Sequence, residues 1–156
     1  MMHLIGYGNP GRCDDGLGQA FAMRIAARNL PGIEVTADYQ LSVDHALLIA
    51  EAQQVVFVDA LMHADAPFGF AGVQPAPSHD LSSHSLSPAA VLALAATLFD
   101  AAPQAFVLGI GGGEFGEVKE GLSPVAEDNL CRAEAFFLDW LRSPKRQADA
   151  SGYAHA

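Results

Sequence analysis

The sequence predicts an α/β protein in which a mostly parallel, twisted sheet of about five strands lies between two layers of helices, a three-layer α/β/α arrangement. Three observations predict this class. Short apolar runs alternate with segments of helical periodicity along the chain. Residues 54–59 form a continuous apolar run, which is typical of a parallel strand buried on both faces. A loop with glycines at 6, 8 and 11 joins the first strand to the first helix, where open α/β sheets bind ligands.

The first 59 residues predict a β-α-β-α-β unit with right-handed crossovers. Its segments are a strand at 3–6, a helix at 17–27, a strand at 33–37, a helix capped by Ser42 that ends near Ala52, and a strand at 54–59. If the strand order is 2-1-3, the first and third strands are neighbours. Their carboxyl ends then meet at one edge of the sheet.

The remainder of the chain predicts one further helix-strand-helix series and an edge strand. The segments are a short edge strand at 67–73, a polar loop at 75–87, a helix that begins at Ser87-Pro88, a strand at 105–110 and a final helix from about Ser123 to Trp140. The length of 156 residues fits one domain over 1–142. Residues 143–156 have no periodic pattern and are expected to form a disordered tail.

Composition excludes several classes of function. A net charge of −10 and a pI near 4.7 repel phosphate backbones and anionic lipid, so we predict neither nucleic-acid nor membrane binding. No apolar run reaches the roughly 20 residues that span a bilayer. The two cysteines, Cys13 and Cys131, lack zinc spacing and are expected to be reduced packing residues. With no signal-peptide pattern after Met1, a cytoplasmic location is expected.

Three carboxylates are placed where such a fold binds ligands. Asp14 and Asp15 follow the glycine-rich loop, and Asp59 ends the apolar strand. One of the adjacent pair is expected to cap the first helix; we assign Asp14 the structural role and Asp15 the functional one. A carboxylate at the end of an apolar strand needs a donor, a cation or water to offset its desolvation, so Asp59 is the best single functional candidate.

A histidine would complete a metal site with these carboxylates. His84 lies in a polar loop at the same predicted sheet edge, and an O,O,N ligand set of Asp15, Asp59 and His84 suits a divalent transition ion. A lone loop histidine is more often a surface residue. The spacing alone leaves three competitors open: His45, His63 and His79.

Five motifs, in order, resemble the nickel-iron hydrogenase maturation endopeptidases. They are Gly6-x-Gly8-Asn9, Asp14-Asp15-Gly16-x-Gly18, the strand ending Asp59-Ala60, Ser83-His84-Ser85-Leu86, and Gly121-Leu122-Ser123-Pro124. The resemblance covers about residues 2–140, and the motifs are specific only in combination. The sequence departs from the family at Gly111-Gly112-Gly113, where relatives often carry a proline or a glutamine.

The resemblance implies a phosphorylase/hydrolase-like fold and an aspartyl-type endopeptidase. Its substrate would be the large-subunit precursor of a [NiFe]-hydrogenase, from which it removes a C-terminal extension after nickel insertion. The family's metal-contacting positions fall on Asp15, Asp59 and His84, which are therefore the expected catalytic residues as well. Nickel is expected to arrive with the substrate, and other divalent transition ions are expected to substitute for it.

Other functions remain as alternatives. Gly6 to Gly11 is similar to the opening motif of peptidyl-tRNA hydrolases, but no histidine follows until His45 and the protein is acidic. The same glycines satisfy a dinucleotide fingerprint, although Asn9-Pro10 disturbs the turn and two carboxylates would repel a pyrophosphate. A non-catalytic, metal-dependent binding module would use the same crevice without cleavage.

Overall fold

The computed structural model describes residues 1–62, 65–78 and 85–143. Five strands and four helices form one α/β unit. In chain order they are β1 (Met2–Tyr7), α1 (Leu17–Ala26), β2 (Ile33–Asp38), α2 (Val43–Leu48), β3 (Gln54–Leu61), β4 (Phe68–Gly72), α3 (Pro88–Phe99), β5 (Gln104–Gly111) and α4 (Pro124–Arg142). A 3-10 turn, Cys13–Gly16, precedes α1. The predicted fold class is confirmed.

The sheet order is β2-β1-β3-β5-β4, so the predicted order 2-1-3 is correct. The first four of these strands are parallel, and β4 pairs antiparallel with β5 at the edge, as expected of its glycine-rich sequence. In the register of β1 and β3, Ile5 pairs with Phe57 and Gly6 with Val58. Tyr7 and Asp59 directly follow this last pair in their strands, at the carboxyl edge of the sheet.

Alternation along the central strands divides the core into two clusters. Met2, Leu4, Val56 and Val58 belong to one cluster, which α1 and α4 cover. Ile5, Val55 and Phe57 belong to the other, which α2 and α3 cover. Helices on both faces explain why β3 reads as an uninterrupted apolar run rather than as alternating residues.

The first helix packs against the sheet at a glycine. A Cβ on Gly18 would clash with the carbonyl oxygens of Tyr7 and Val58, both of which are backbone atoms that cannot move aside. Only a residue without a side chain lets the start of α1 lie directly on β1 and β3. This close contact fixes where the preceding turn, with its two aspartates, lies relative to the strands.

Two predictions about local structure are wrong. Helix α2 ends at Leu48 rather than near Ala52, because the chain turns at Ile49 and buries both Ile49 and Ala52 in the second cluster. Cys131 is exposed on α4 rather than packed in the core, and its sulfur lies 3.7 Å from an Arg24 nitrogen. The predicted tail, apart from Ser143, lies outside the described residues.

Within the described residues, none of the helices combines the length and the apolar character needed to cross a membrane.

Candidate functional site at the carboxyl edge of the sheet

Asp15 reaches the site from the 3-10 turn that follows the glycine-rich loop. The turn directs the half-buried Asp15 side chain back toward the loop, where the backbone N–H of Asn9 donates to its Oδ2 at 2.8 Å. The Asn9 side chain in turn accepts from the N–H of Gly11 at 2.9 Å, and Gln19 donates to the carbonyl of Gly8 at 2.8 Å. The loop and the carboxylate therefore hold each other in place.

Asp59 reaches the same edge from β3, two residues before the strand ends. The N–H of Ala60 donates to its Oδ1 at 2.7 Å, and the phenol of Tyr7 interacts electrostatically with the same carboxylate. Tyr7 is the last residue of β1 and shares the face of Ile5. None of the sequence motifs points to the side chain of Tyr7, which interacts with the charge of Asp59.

The electrostatics of this edge favour a positive ligand. Burial raises the pKa of Asp59, the Ala60 N–H and the neighbouring Tyr7 phenol oppose that rise, and the charge of Asp15 adds to it. Burial and the charge of Asp59 likewise raise the pKa of Tyr7 far above its ordinary value, so the phenol stays protonated at neutral pH. Asp15 and Asp59 are thus close enough to repel each other, and a cation would relieve that repulsion.

Asp14 has the structural role that its neighbour lacks. Its fully buried carboxylate accepts from the N–H groups of Gly113 and Glu114, both at 2.8 Å, and from the N–H and hydroxyl of Ser123, at 2.7 and 2.6 Å. The expectation that one aspartate caps α1 is wrong, because no side chain caps the 3-10 turn or α1. Asp14 instead joins the loop after β5 to Ser123, the N-cap of α4.

The glycine run after β5 is explained by the same contact. A Cβ on Gly112 would lie 2.7 Å from the Cβ of Asp14 and 2.8 Å from the ring of Phe115. The loop therefore approaches Asp14 closely enough to donate two backbone hydrogen bonds only because residue 112 has no side chain. Cys13, next to Asp14, is a buried thiol whose pKa is raised by burial, which fits the packing role predicted for it.

Of the four histidines considered as metal ligands, the structure describes only His45. His45 is buried in α2, where its Nδ1 accepts from the N–H of Ser42 at 2.9 Å and its Nε2 lies 3.3 Å from Asp38. It therefore completes a capping box rather than joining Asp15 and Asp59. His63, His79 and His84 lie outside the described residues. Among the residues that are described, no group of three metal-binding side chains occurs.

The site thus brings together two of the three predicted residues, Asp15 and Asp59, on neighbouring elements at one edge of the sheet. Two carboxylates, each held by a backbone N–H, provide hard, anionic oxygen atoms, the ligand type that suits a divalent cation.

Comparison with known proteins supports the same fold. No protein-family model matches the sequence, and no curated protein matches it. Among solved structures, the chain is similar to the hydrogenase maturating endopeptidase HybD from E. coli, with a TM-score of 0.70 and 19% identity over 90% of this chain and 91% of that one. It is also similar to the [NiFe] hydrogenase maturation protease HycI from Thermococcus kodakarensis KOD1, with a TM-score of 0.69 and 21% identity over 91% and 92% of the two chains. An E. coli endopeptidase solved in solution gives a TM-score of 0.69 and 20% identity over 91% and 93%. The chain therefore has the fold of these endopeptidases.

Proposed function

We propose, from the fold that this chain shares with hydrogenase maturation endopeptidases, that it is a processing protease for the large-subunit precursor of a [NiFe]-hydrogenase. It would cut off a C-terminal extension once nickel has been inserted. The observation that supports this most strongly is the pair Asp15 and Asp59, which the 3-10 turn and β3 bring to one edge of the sheet, where their like charges repel each other. The sequence motifs point to the same two residues.

The nickel of the precursor is substrate in this proposal. Asp15 and Asp59 would recognise it with their carboxylates, and His84, known here only from its motif, would supply a ring nitrogen. The two carboxylates repel each other in the free enzyme. A substrate that carries a cation would remove this repulsion, which fits a role in recognising nickel-loaded precursor. An empty precursor would leave the repulsion in place and bind poorly.

The residues of this chain would orient the reaction. The Asn9 N–H holds Asp15 at 2.8 Å and the Ala60 N–H holds Asp59 at 2.7 Å, so neither carboxylate has to be ordered during the reaction. A metal held at this edge by Asp15 and Asp59 would supply a Lewis acid, able to polarise the scissile carbonyl or lower the pKa of an attacking water. Both cysteines are free thiols, which supports a cytoplasmic location for the reaction.

The proposal is tested by digesting nickel-loaded and nickel-free precursor with the wild-type protein and weighing the products by mass spectrometry. We expect the loaded precursor alone to lose one short C-terminal peptide. Asp59→Asn should abolish the cut, because it removes a charged ligand while keeping the shape of the side chain.

Asp139→Asn is the matched control, since it removes the same charge from an exposed residue near the far end of α4. It should cut at the wild-type rate. Nickel binding without cleavage by the wild-type protein would favour the binding-module alternative instead. Equal cutting by Asp59→Asn and wild type would remove Asp59 from the mechanism.

A further inference from the structure

The peptide plane between Gly8 and Asn9 joins Gln19 to Asp15. Its carbonyl oxygen, on Gly8, accepts from the side-chain amide of Gln19 at 2.8 Å. Its N–H, on Asn9, donates to Oδ2 of Asp15 at 2.8 Å. The peptide is trans, so it is planar and its C=O and N–H point in opposite directions. A contact that fixes the direction of the carbonyl therefore also fixes the direction of the N–H that holds Asp15.

Gly8 gives this peptide plane freedom to rotate. Its φ is +136°, which residues with a side chain rarely adopt, and a Cβ on Gly8 would clash with the backbone carbonyl oxygen of Asp15. Residue 8 must therefore be glycine for the loop to lie this close to the 3-10 turn. The same lack of a Cβ lets the peptide plane after Gly8 turn at little cost. Such a rotation would point the Asn9 N–H away from Asp15.

Gln19 is placed to prevent this rotation. It lies in the first turn of α1, next to Gly18, where the helix packs directly on the backbone of β1 and β3. The Gln19 side chain is half-buried, and its amide contacts the loop from this firmly packed part of the helix. Among the described residues, the Asn9 N–H is the only donor to the Asp15 carboxylate. The orientation of Asp15 thus depends on one N–H, and the direction of that N–H depends on Gln19.

We propose that Gln19 is a positioning residue for Asp15: its amide fixes the Gly8–Asn9 peptide plane, whose N–H holds the Asp15 carboxylate in place for the cation of the substrate. This inference rests on the proposed function and deepens it, because it extends the site from a metal-binding carboxylate to a residue on α1. A glutamine that only stabilised the fold would affect the melting temperature on removal, without affecting the Asn9 N–H or the reaction.

Gln19→Met tests this, because methionine has a similar length and helix propensity but no donor. We expect a loss of about 10-fold or more in kcat/KM for nickel-loaded precursor, the size typical of residues that orient metal ligands. The melting temperature should stay within about 4 °C of wild type, as for the loss of one hydrogen bond in a domain of this size. Gln74→Met is the matched control, since Gln74 is exposed and follows β4 at the opposite edge of the sheet. It should leave processing unchanged.

Amide hydrogen exchange, followed by NMR, gives a readout that does not depend on the reaction. The N–H of Gly8 belongs to the preceding peptide and donates to the carbonyl of Asp38 at 3.1 Å, so a rotation of the Gly8–Asn9 plane leaves it in place. In Gln19→Met, the Asn9 amide should exchange about 5-fold faster or more, because its hydrogen bond to Asp15 is weakened. The Gly8 amide should keep its wild-type rate. In Gln74→Met, both amides should exchange as in wild type.

Any of three results for Gln19→Met overturns the inference. The first is an unchanged exchange rate of the Asn9 amide. The second is faster exchange of both the Asn9 and the Gly8 amides, which would show that the whole loop loosens. The third is processing within about twofold of wild type. Failure of the proposed function looks different, because the wild-type protein then leaves the nickel-loaded precursor uncut. In that case the exchange rates still decide whether Gln19 fixes the N–H that holds Asp15.

Discussion

Replacing each of the adjacent aspartates by asparagine should have opposite consequences. Asp14 accepts four hydrogen bonds while fully buried, and three of them converge on Oδ2. Among the described residues, only the Asn9 N–H donates to the carboxylate of Asp15. Asp14→Asn should therefore lower the free energy of unfolding. Asp15→Asn should leave the stability of the fold nearly unchanged and abolish processing of the precursor.

The magnitude follows from the contacts of Asp14. An asparagine oxygen placed at the Oδ2 position keeps three donors, but each bond loses its charge assistance, worth about 1 kcal/mol apiece. The amide nitrogen then faces the buried N–H of Ser123, which costs about 1–3 kcal/mol for an unsatisfied donor. Lower desolvation of the neutral side chain offsets part of this sum. We expect a net loss of about 3 kcal/mol for Asp14→Asn and of about 1 kcal/mol or less for Asp15→Asn.

Urea unfolding measures the difference, followed by the fluorescence of Trp140, the only tryptophan and a core residue 4% exposed. The two variants are matched, because they make the same chemical change at neighbouring positions. The reasoning is refuted if Asp14→Asn lies within about 1 kcal/mol of wild type, or if Asp15→Asn is the less stable variant.

Three further predictions concern pH and packing. Burial alone would raise the pKa of Asp14, but its hydrogen bonds outweigh burial and hold that pKa low. The stability gap between wild type and Asp14→Asn in urea unfolding should therefore begin to narrow below about pH 3.9 and close as the pH falls through the lower folded-state pKa. The pKa of Asp59 is raised, so its ionised form destabilises the fold. Asp59→Asn should therefore have a higher melting temperature than wild type at pH 7, and the difference should vanish in acid, where Asp59 is protonated. An equal or lower melting temperature at pH 7 would contradict this. Gly18→Ala should cost about 3 kcal/mol or more in urea unfolding, because its Cβ meets backbone oxygens, while Gly69→Ala, with nothing within 4 Å, should change stability by about 0.5 kcal/mol at most; equal effects would show that α1 can shift.

Much of the fold can be predicted from the sequence because its signals are local. The apolar run of β3, the Ser87-Pro88 start of α3 and the Ser123-Pro124 start of α4 each depend on neighbouring residues, and all three are confirmed. The order 2-1-3 was predicted from right-handed crossovers and from the strand order of flavodoxin-like sheets, and the structure has it. Where a signal depended on distant packing, as at the end of α2 and at Cys131, the prediction was wrong.

The candidate site also has a part that local sequence signals predict and a part that depends on distant packing. The sequence alone determined that Asp15 and Asp59 lie at the ends of segments that meet at one edge, because strand direction and glycine-rich turns are encoded by adjacent residues. Only the tertiary structure decided what those carboxylates contact: Tyr7 beside Asp59, and Asp14 bound to Ser123. Those contacts join residues 52 and 109 positions apart, and the pairing of such distant groups is set by strand register and close packing, which a linear pattern does not record.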